Sequence, residues 1–348
     1  MSIGDNSQHE LAPPAGWTKS LQAFQSPSIP RSIGELAFTA LPLIGFWVVA
    51  WLAYHFGYGW VSPFIAIPAG VFLVRLFMIQ HDCGHGSFFP HRAVNDWVGR
   101  IIGVFTLTPY DVWRRTHAIH HATAGNLDKR GVGDINTLTV REYRALGFWQ
   151  KMQYRLYRNP FVMFGFGPAY LFLLQQRLPI GLMRSGGWPV WVSSQATNAA
   201  IALGAAGLIW LVGYKAFLLV HLPMVLIAAT IGVWLFFVQH QFEDTFWSRQ
   251  KRWDFQEAAL RGSSYYDLPA VLRWFTASIG IHHVHHLSSK IPFYRLQTVL
   301  REYPALREVG RITFRESLRT VRLSLWDEER QKLVSFREAR ALPPAHVA

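Results

Sequence analysis

The chain has 348 residues, of which 51% are hydrophobic and only 16% charged, with 15 Trp and 25 Phe. That balance excludes an ordinary soluble domain and a disordered chain, and it points to a membrane protein. A net charge of +13 raises nucleic acid as a partner, but no recognisable nucleic-acid-binding module accompanies the charge, so none is expected.

In chain order, residues 1–35 are polar and Pro-rich, without the basic start, apolar core and cleavage site of a signal peptide. The first span is therefore expected to act as the insertion signal. Four stretches are apolar enough, and close enough to the required length of about 20 residues, to cross a bilayer: 36–54, 61–79, 196–213 and 216–239. Three of them carry no Asp, Glu, Lys or Arg. The exception holds Arg75, which either snorkels to the interface or bonds a buried carbonyl or carboxylate. Two shorter apolar segments, 98–109 and 161–174, are interrupted by Gly or Pro and read as helices lying in the interface or dipping part-way in.

Charge then sets orientation. From Arg92 to Arg184 there are 13 Lys or Arg, whereas the loops 57–60 and 213–215 hold Lys215 alone. By the positive-inside rule the N-terminus, the central segment and the C-terminal third face the cytoplasm, where basic residues meet anionic lipid head groups. A single cysteine, Cys83, excludes an intrachain disulfide and a cysteine-ligated iron–sulfur cluster. No Rossmann glycine fingerprint opens a helix after a strand, so no flavin domain is expected and electrons must come from another protein.

Three histidine clusters follow: His81 and His85 in HDCGH, His117, His120 and His121 in HAIHH, and His282, His285 and His286 in HHVHH. At 15 histidines in 348 residues, chance supplies only about 0.03 HxxHH matches, and the chain has two. In a helix, residues at i, i+3 and i+4 share a face, so each cluster is expected to aim its rings at a common point. The four spans put all three clusters on the cytoplasmic side, together with His240 at the end of the fourth span. One zinc would leave most of nine imidazoles unused, and two ions fit the count. Imidazole suits iron, copper, nickel and zinc alike, so ligand type does not choose the metal.

With HDCGHGSFF after the second span, WRRTHAIHH in the next cytoplasmic segment and GIHHVHHLSSKIPFY near the C-terminus, the chain resembles the integral membrane fatty acid desaturases. The likeness covers about residues 36–295, and QHQFED and HHVHHL are most similar to bacterial acyl-lipid desaturases of the omega-6 (delta-12) type. The resemblance implies a diiron centre held by His81, His85, His117, His120, His121, His282, His285 and His286, with His240 as a further ligand. It implies that O2 and two electrons, from a separate donor such as ferredoxin or a cytochrome, remove two hydrogens from an acyl chain of a membrane lipid or other acyl substrate.

Asp82 is expected to orient a neighbouring imidazole rather than bind metal. Asn126, Asp128, Asp134, Glu243 and Asp244 either do the same or serve as loop polar groups and helix caps. His283 breaks the HxxHH spacing and would point about 100° away from His282 on a helix, which suits a supporting or packing residue. The expected fold is all-α and integral to the membrane, with four transmembrane helices, interfacial helices and a cytoplasmic histidine-rich helical cap. Its expected parts are a cytoplasmic N-terminal segment (1–35), a membrane domain (36–298) and a cytoplasmic tail (299–348), in a bacterial inner membrane with both ends inside. A related diiron hydroxylase or ketolase acting on an alkane, sterol or carotenoid would share these motifs. A histidine-rich metal transporter would instead place its site near the bilayer midplane.

Overall fold

A computed structural model describes residues 17–178 and 180–343, and of residues 17–18 and 180–186 only the backbone. The parts of the N-terminal segment and C-terminal tail at 1–16 and 344–348 lie outside the described residues. Among the described residues, four helices are long and apolar enough to cross a membrane. The first, α1 (Ile29–His55), has Pro in its first turn, where the missing N–H costs nothing. Next come α2 (Ser62–His85), the amphipathic α3 (Arg92–Phe105) and α4 (Tyr110–Thr123). The third spanning helix is the membrane part of α5 (Ile180–Val212), which is kinked at Gly187, and the fourth is α6 (Tyr214–His240). Short α7 (His282–Leu287) and α8 (Phe293–Glu302) complete the cap over the spans.

Two of the spans outrun their expected limits in a way that matters for function. The apolar run of α2 stops near Ile79, but its helix continues to His85, so the first histidine pair stands on the spanning helix itself. Likewise α6 ends on His240. The second span is the central one, packed against both α1 and α6, whereas α5 lies at the edge with most of its surface outward. On α3, Trp97, Ile101 and Phe105 form an exposed apolar stripe, as a helix lying in the interface requires.

Arg75 is fully buried rather than snorkelling. Its guanidinium pairs with Glu35 of α1, donates to the Trp274 carbonyl and lies 4.0 Å from the Trp274 ring. This ties α1, α2 and the cap together. Glu35 lies one residue before the apolar run of the first span, which is why that partner escaped the hydropathy reading.

The segment expected as a tail is folded. Strand β1 (Leu138–Thr139) pairs in parallel with β4 (Leu323–Asp327), and β4 pairs antiparallel with β5 (Lys332–Ser335). A second small sheet joins β2 (Tyr265–Asp267) to β3 (Arg311–Thr313). Trp326 of β4 is buried against Leu127 and Trp247. The C-terminal residues thus clamp the loop that follows α4.

Candidate metal centre

Each histidine is placed by a local feature of its element. Past His85, Gly86 adopts φ +67°, and Ser87 N–H donates to the Asp82 carbonyl, closing α2 in a Schellman turn. Helix α4 approaches α2 closely because Gly84 has no side chain: a Cβ there would meet the Trp113 ring at 2.6 Å. The Trp113 ring stacks on His117, with centroids 4.6 Å apart. In the third motif, the N–H groups of His282 and His283 both reach the Ser264 carbonyl, at 3.2 and 3.3 Å, which anchors the start of α7.

The nine predicted rings gather into two groups, His81, His85, His117, His121 and His285, and His120, His240, His282 and His286. Within each, one ring nitrogen per residue lies within 4.8 Å of all the others. The motifs do not each converge on one point, as the spacing suggested. Pairs at i, i+4 stay together (His81 with His85, His117 with His121, His282 with His286), while His120 and His285 each face the other group. At 100° per residue, i+3 and i+4 lie on opposite sides of position i, so one HxxHH helix serves two centres.

Nitrogen spacing fits a shared cation. His117 Nε2 lies 3.0 Å from His81 Nε2 and 3.1 Å from both His85 Nε2 and His121 Nε2. A ring nitrogen carries one proton or one lone pair, so it cannot bond three others of its kind. A metal with bonds of about 2.0–2.1 Å places neighbouring ligand nitrogens roughly 3 Å apart. In the second group, His240 Nε2 is 3.1 Å from His120 Nε2 and 3.0 Å from His282 Nε2, which is 3.1 Å from His286 Nε2. Burial first, and neighbouring rings second, hold His117, His121, His282, His285 and His286 well below the usual imidazole range. They are neutral at pH 7, with lone pairs available. Both groups are therefore able to hold a metal centre.

Partners on Nδ1 fix which nitrogen faces inward. Asp82 Oδ1 lies 3.2 Å from His81 Nδ1, and Asp82 Oδ2 accepts from the Phe293 N–H at 2.7 Å, so this carboxylate links the first motif to α8. Asp134 Oδ1 bonds His120 Nδ1, and the Gly262 carbonyl lies 3.0 Å from His240 Nδ1. Of the other flanking polar residues, Asn126 donates to the Gln250 side chain, Asp128 accepts from the Arg249 side chain and the Gln250 N–H, Glu243 pairs with Lys332, and Asp244 is exposed. His283 turns away from both groups; it is buried, its Nε2 donates to the Leu306 carbonyl at 2.9 Å, and burial pushes its pKa down to about 4. Sequence reasoning missed Gly262 and Trp113 as supports, because no spacing rule marks a carbonyl 22 residues from the ring it meets.

A cavity of about 730 Å³ runs between α2, α6 and the Val162–Phe172 segment and ends at His81, His117 and His282. It thus touches both groups. Leu73, Phe77, Met78, Met163 and Phe236 give it an apolar wall, and its size falls in the range of about 300–1,000 Å³ of small-molecule sites. On the opposite side, His121 and His286 line a surface cleft of about 430 Å³ with Gln25, Phe255 and Lys290.

Comparison with known proteins adds chemistry to this geometry. Residues 58–317 match the family model described as fatty acid desaturase. The chain is 44% identical to a Bacillus subtilis protein named fatty acid desaturase, over 94% of this chain and 92% of that one. It is 29% identical to a Synechocystis sn-1 acyl-lipid omega-3 desaturase (ferredoxin), over 78% and 74% of the two chains. An Anabaena variabilis sn-1 oleoyl-lipid 12-desaturase is 26% identical over 73% and 70%.

Proposed function

The chain belongs to the fatty acid desaturase family, and on that premise we propose that it is a multi-pass membrane oxidoreductase that uses two irons and O2 to place a double bond in a fatty acyl chain. The observation that carries this reading is the apolar cavity ending on rings of both histidine groups. Such a cavity would hold a methylene pair beside both histidine groups and away from water.

His81, His85, His117, His121 and His285 would hold one iron; His120, His240, His282 and His286 would hold the other. Bound iron supplies the activation of O2 that an unactivated C–H bond demands. The balance is fixed: two hydrogens leave adjacent methylenes, O2 takes up these with two electrons and two protons, and two waters form. Asp82, Asp134 and the Gly262 carbonyl hold the ring tautomers that present lone pairs inward, while Trp113 fixes the plane of His117. Electrons arrive from an external donor at the open cleft that His121 and His286 line. A ferredoxin suits that role and a lipid-esterified acyl chain suits the cavity, as the names of the cyanobacterial relatives suggest.

In this reading residues 36–298 form the catalytic body in a bacterial inner membrane. The flanks 1–35 and 299–348 lie on the cytoplasmic side, which accords with the basic central segment. Fatty-acid profiling of a host expressing the chain tests the reaction: a new double bond is expected, and a hydroxyl or keto product overturns it. Metal analysis tests the centre: about two irons per chain are expected, and zinc in their place refutes it.

A further inference from the structure

Arg158 caps the helix Phe148–Tyr157 and turns its side chain into the protein, where the residue is only 4% exposed. Its Nη2 donates to the Gln241 side-chain carbonyl and to the Leu323 backbone carbonyl, at 2.8 Å each, and its Nη1 lies 3.5 Å from the Asn136 carbonyl. The guanidinium carbon is 5.7 Å from the centroid of the Phe237 ring. These acceptors are all neutral, and no ion pair among the described residues includes Arg158. A guanidinium buried without a counter-charge is a costly way to fill space. What it adds is a planar fork of five donors, able to bind carbonyls of separate segments at once.

The segments it joins are those that carry or brace the four-ring group. Gln241 follows His240 directly and closes α6, its N–H donating to the Phe237 carbonyl. Asn136 lies two residues after Asp134, whose carboxylate bonds His120 Nδ1. Leu323 opens β4, the strand that pairs with β1. Thr137, next in the loop, is fully buried and donates to the same Gln241 oxygen at 3.3 Å, so the loop and the end of α6 meet at one acceptor. His120 and His240 are therefore both tied to one guanidinium, the first through Asp134 and its loop, the second through Gln241. None of Gln241, Asn136 and Leu323 adjoins a residue of the five-ring group in the sequence.

We propose that Arg158 is a positioning residue for the metal centre, which sets the spacing of His120 and His240 by locking the Asp134 loop and the end of α6 to β4. The inference rests on the two-centre reading above and concerns the group of His120, His240, His282 and His286 alone. Nε2 of His120 and Nε2 of His240 stand 3.1 Å apart. A shared cation needs both lone pairs aimed at one point, so a loop that shifts against α6 weakens binding there and leaves the five-ring group as it was.

In the test, the full-length protein in detergent is stripped of metal and titrated with cobalt(II) against a chelator, while its visible ligand-field absorption is recorded. The band that His120→Ala removes marks the ion of the four-ring group. Arg158→Met, which keeps the bulk and loses the donors, is expected to lower the affinity for that ion about tenfold, the lower end of the usual cost of a missing support, and to leave the other ion in place. Gln241→Leu is expected to do the same, and the double variant to lose little more than either alone, because residues that act through one contact do not add. Gln241→Glu keeps the acceptor oxygen and is expected to bind both ions as the parent does. Equal weakening of both ions, or an undiminished four-ring ion in whichever of Arg158→Met and Gln241→Leu folds, would overturn the proposal. A parent protein that binds fewer than two cobalt ions sinks the two-centre reading itself, and this inference with it.

Discussion

The two histidine groups differ in number, enclosure and support. The first has five rings, of which His85, His117 and His121 are only half-buried, whereas the second has four rings, all buried. In the second group two rings are braced on Nδ1, His120 by Asp134 and His240 by a backbone carbonyl; in the first, His81 is braced by Asp82, and that carboxylate also anchors α8. The apolar cavity meets two rings of the first group and one of the second. The larger set of rings therefore sits where the site is more open, and the sparser set sits where packing and carboxylate support hold it.

The harshest way to break this comparison is to remove one ring from each group. His120→Ala leaves three rings in the sparser group and is expected to cut iron from about two to about one per chain, with loss of all detectable desaturation. His285→Ala leaves four rings in the other group and is expected to retain more metal, though activity still fails. Equal metal loss in the two variants, measured by elemental analysis, would show the groups to be equivalent.

Support comes next in size. Asp134→Ala is expected to lower metal affinity about 10–100-fold, the usual cost of losing a partner to a ligand imidazole. Asp82→Ala is expected to cost metal and also to loosen α8, which chelator titration and thermal melting read separately. A gentler change targets the cavity. Gly232 lines its wall, and a Cβ there would meet no neighbouring atom within 4 Å. Gly232→Phe is expected to keep both irons and to reduce the yield or change the chain-length preference of the product, read by fatty-acid profiling beside metal analysis.

The smallest effect is on pH. Rings such as His117 and His286 have pKa values below that of a free imidazole, so the unfolded chain binds protons first as pH falls below about 6.5. The metal-free protein is expected to lose stability progressively below that pH, with a plateau above it. A melting temperature that stays constant from pH 8 to 5 would contradict the burial of these rings.

Much of this was legible in the sequence because hydropathy and histidine spacing are local. A run such as 61–79 announces a span, and HAIHH announces a cluster of imidazoles. Their division between two centres was not, because it depends on how α4 is rotated against α2, and that depends on Gly84 making room for Trp113. Nor was the choice among five flanking polar residues, since only the folded loop brings Asp134, and none of Asn126, Asp128, Glu243 or Asp244, to a ligand ring. The ion pair of Glu35 with Arg75 and the strand pairing of β1 with β4 are contacts between distant segments, which no local pattern encodes.

That last pairing has a consequence for biosynthesis. Asp134 lies four residues before β1, and β1 is held by β4, near the end of the chain. A ribosome adding about 5–20 residues per second needs some tens of seconds to pass from His81 to the strands that fasten this loop. Throughout that interval the earliest imidazoles are already anchored in the membrane while the final ring and the clasp have not been made. The loop that carries Asp134 is thus fastened only once the strand at Leu323–Asp327 has been made.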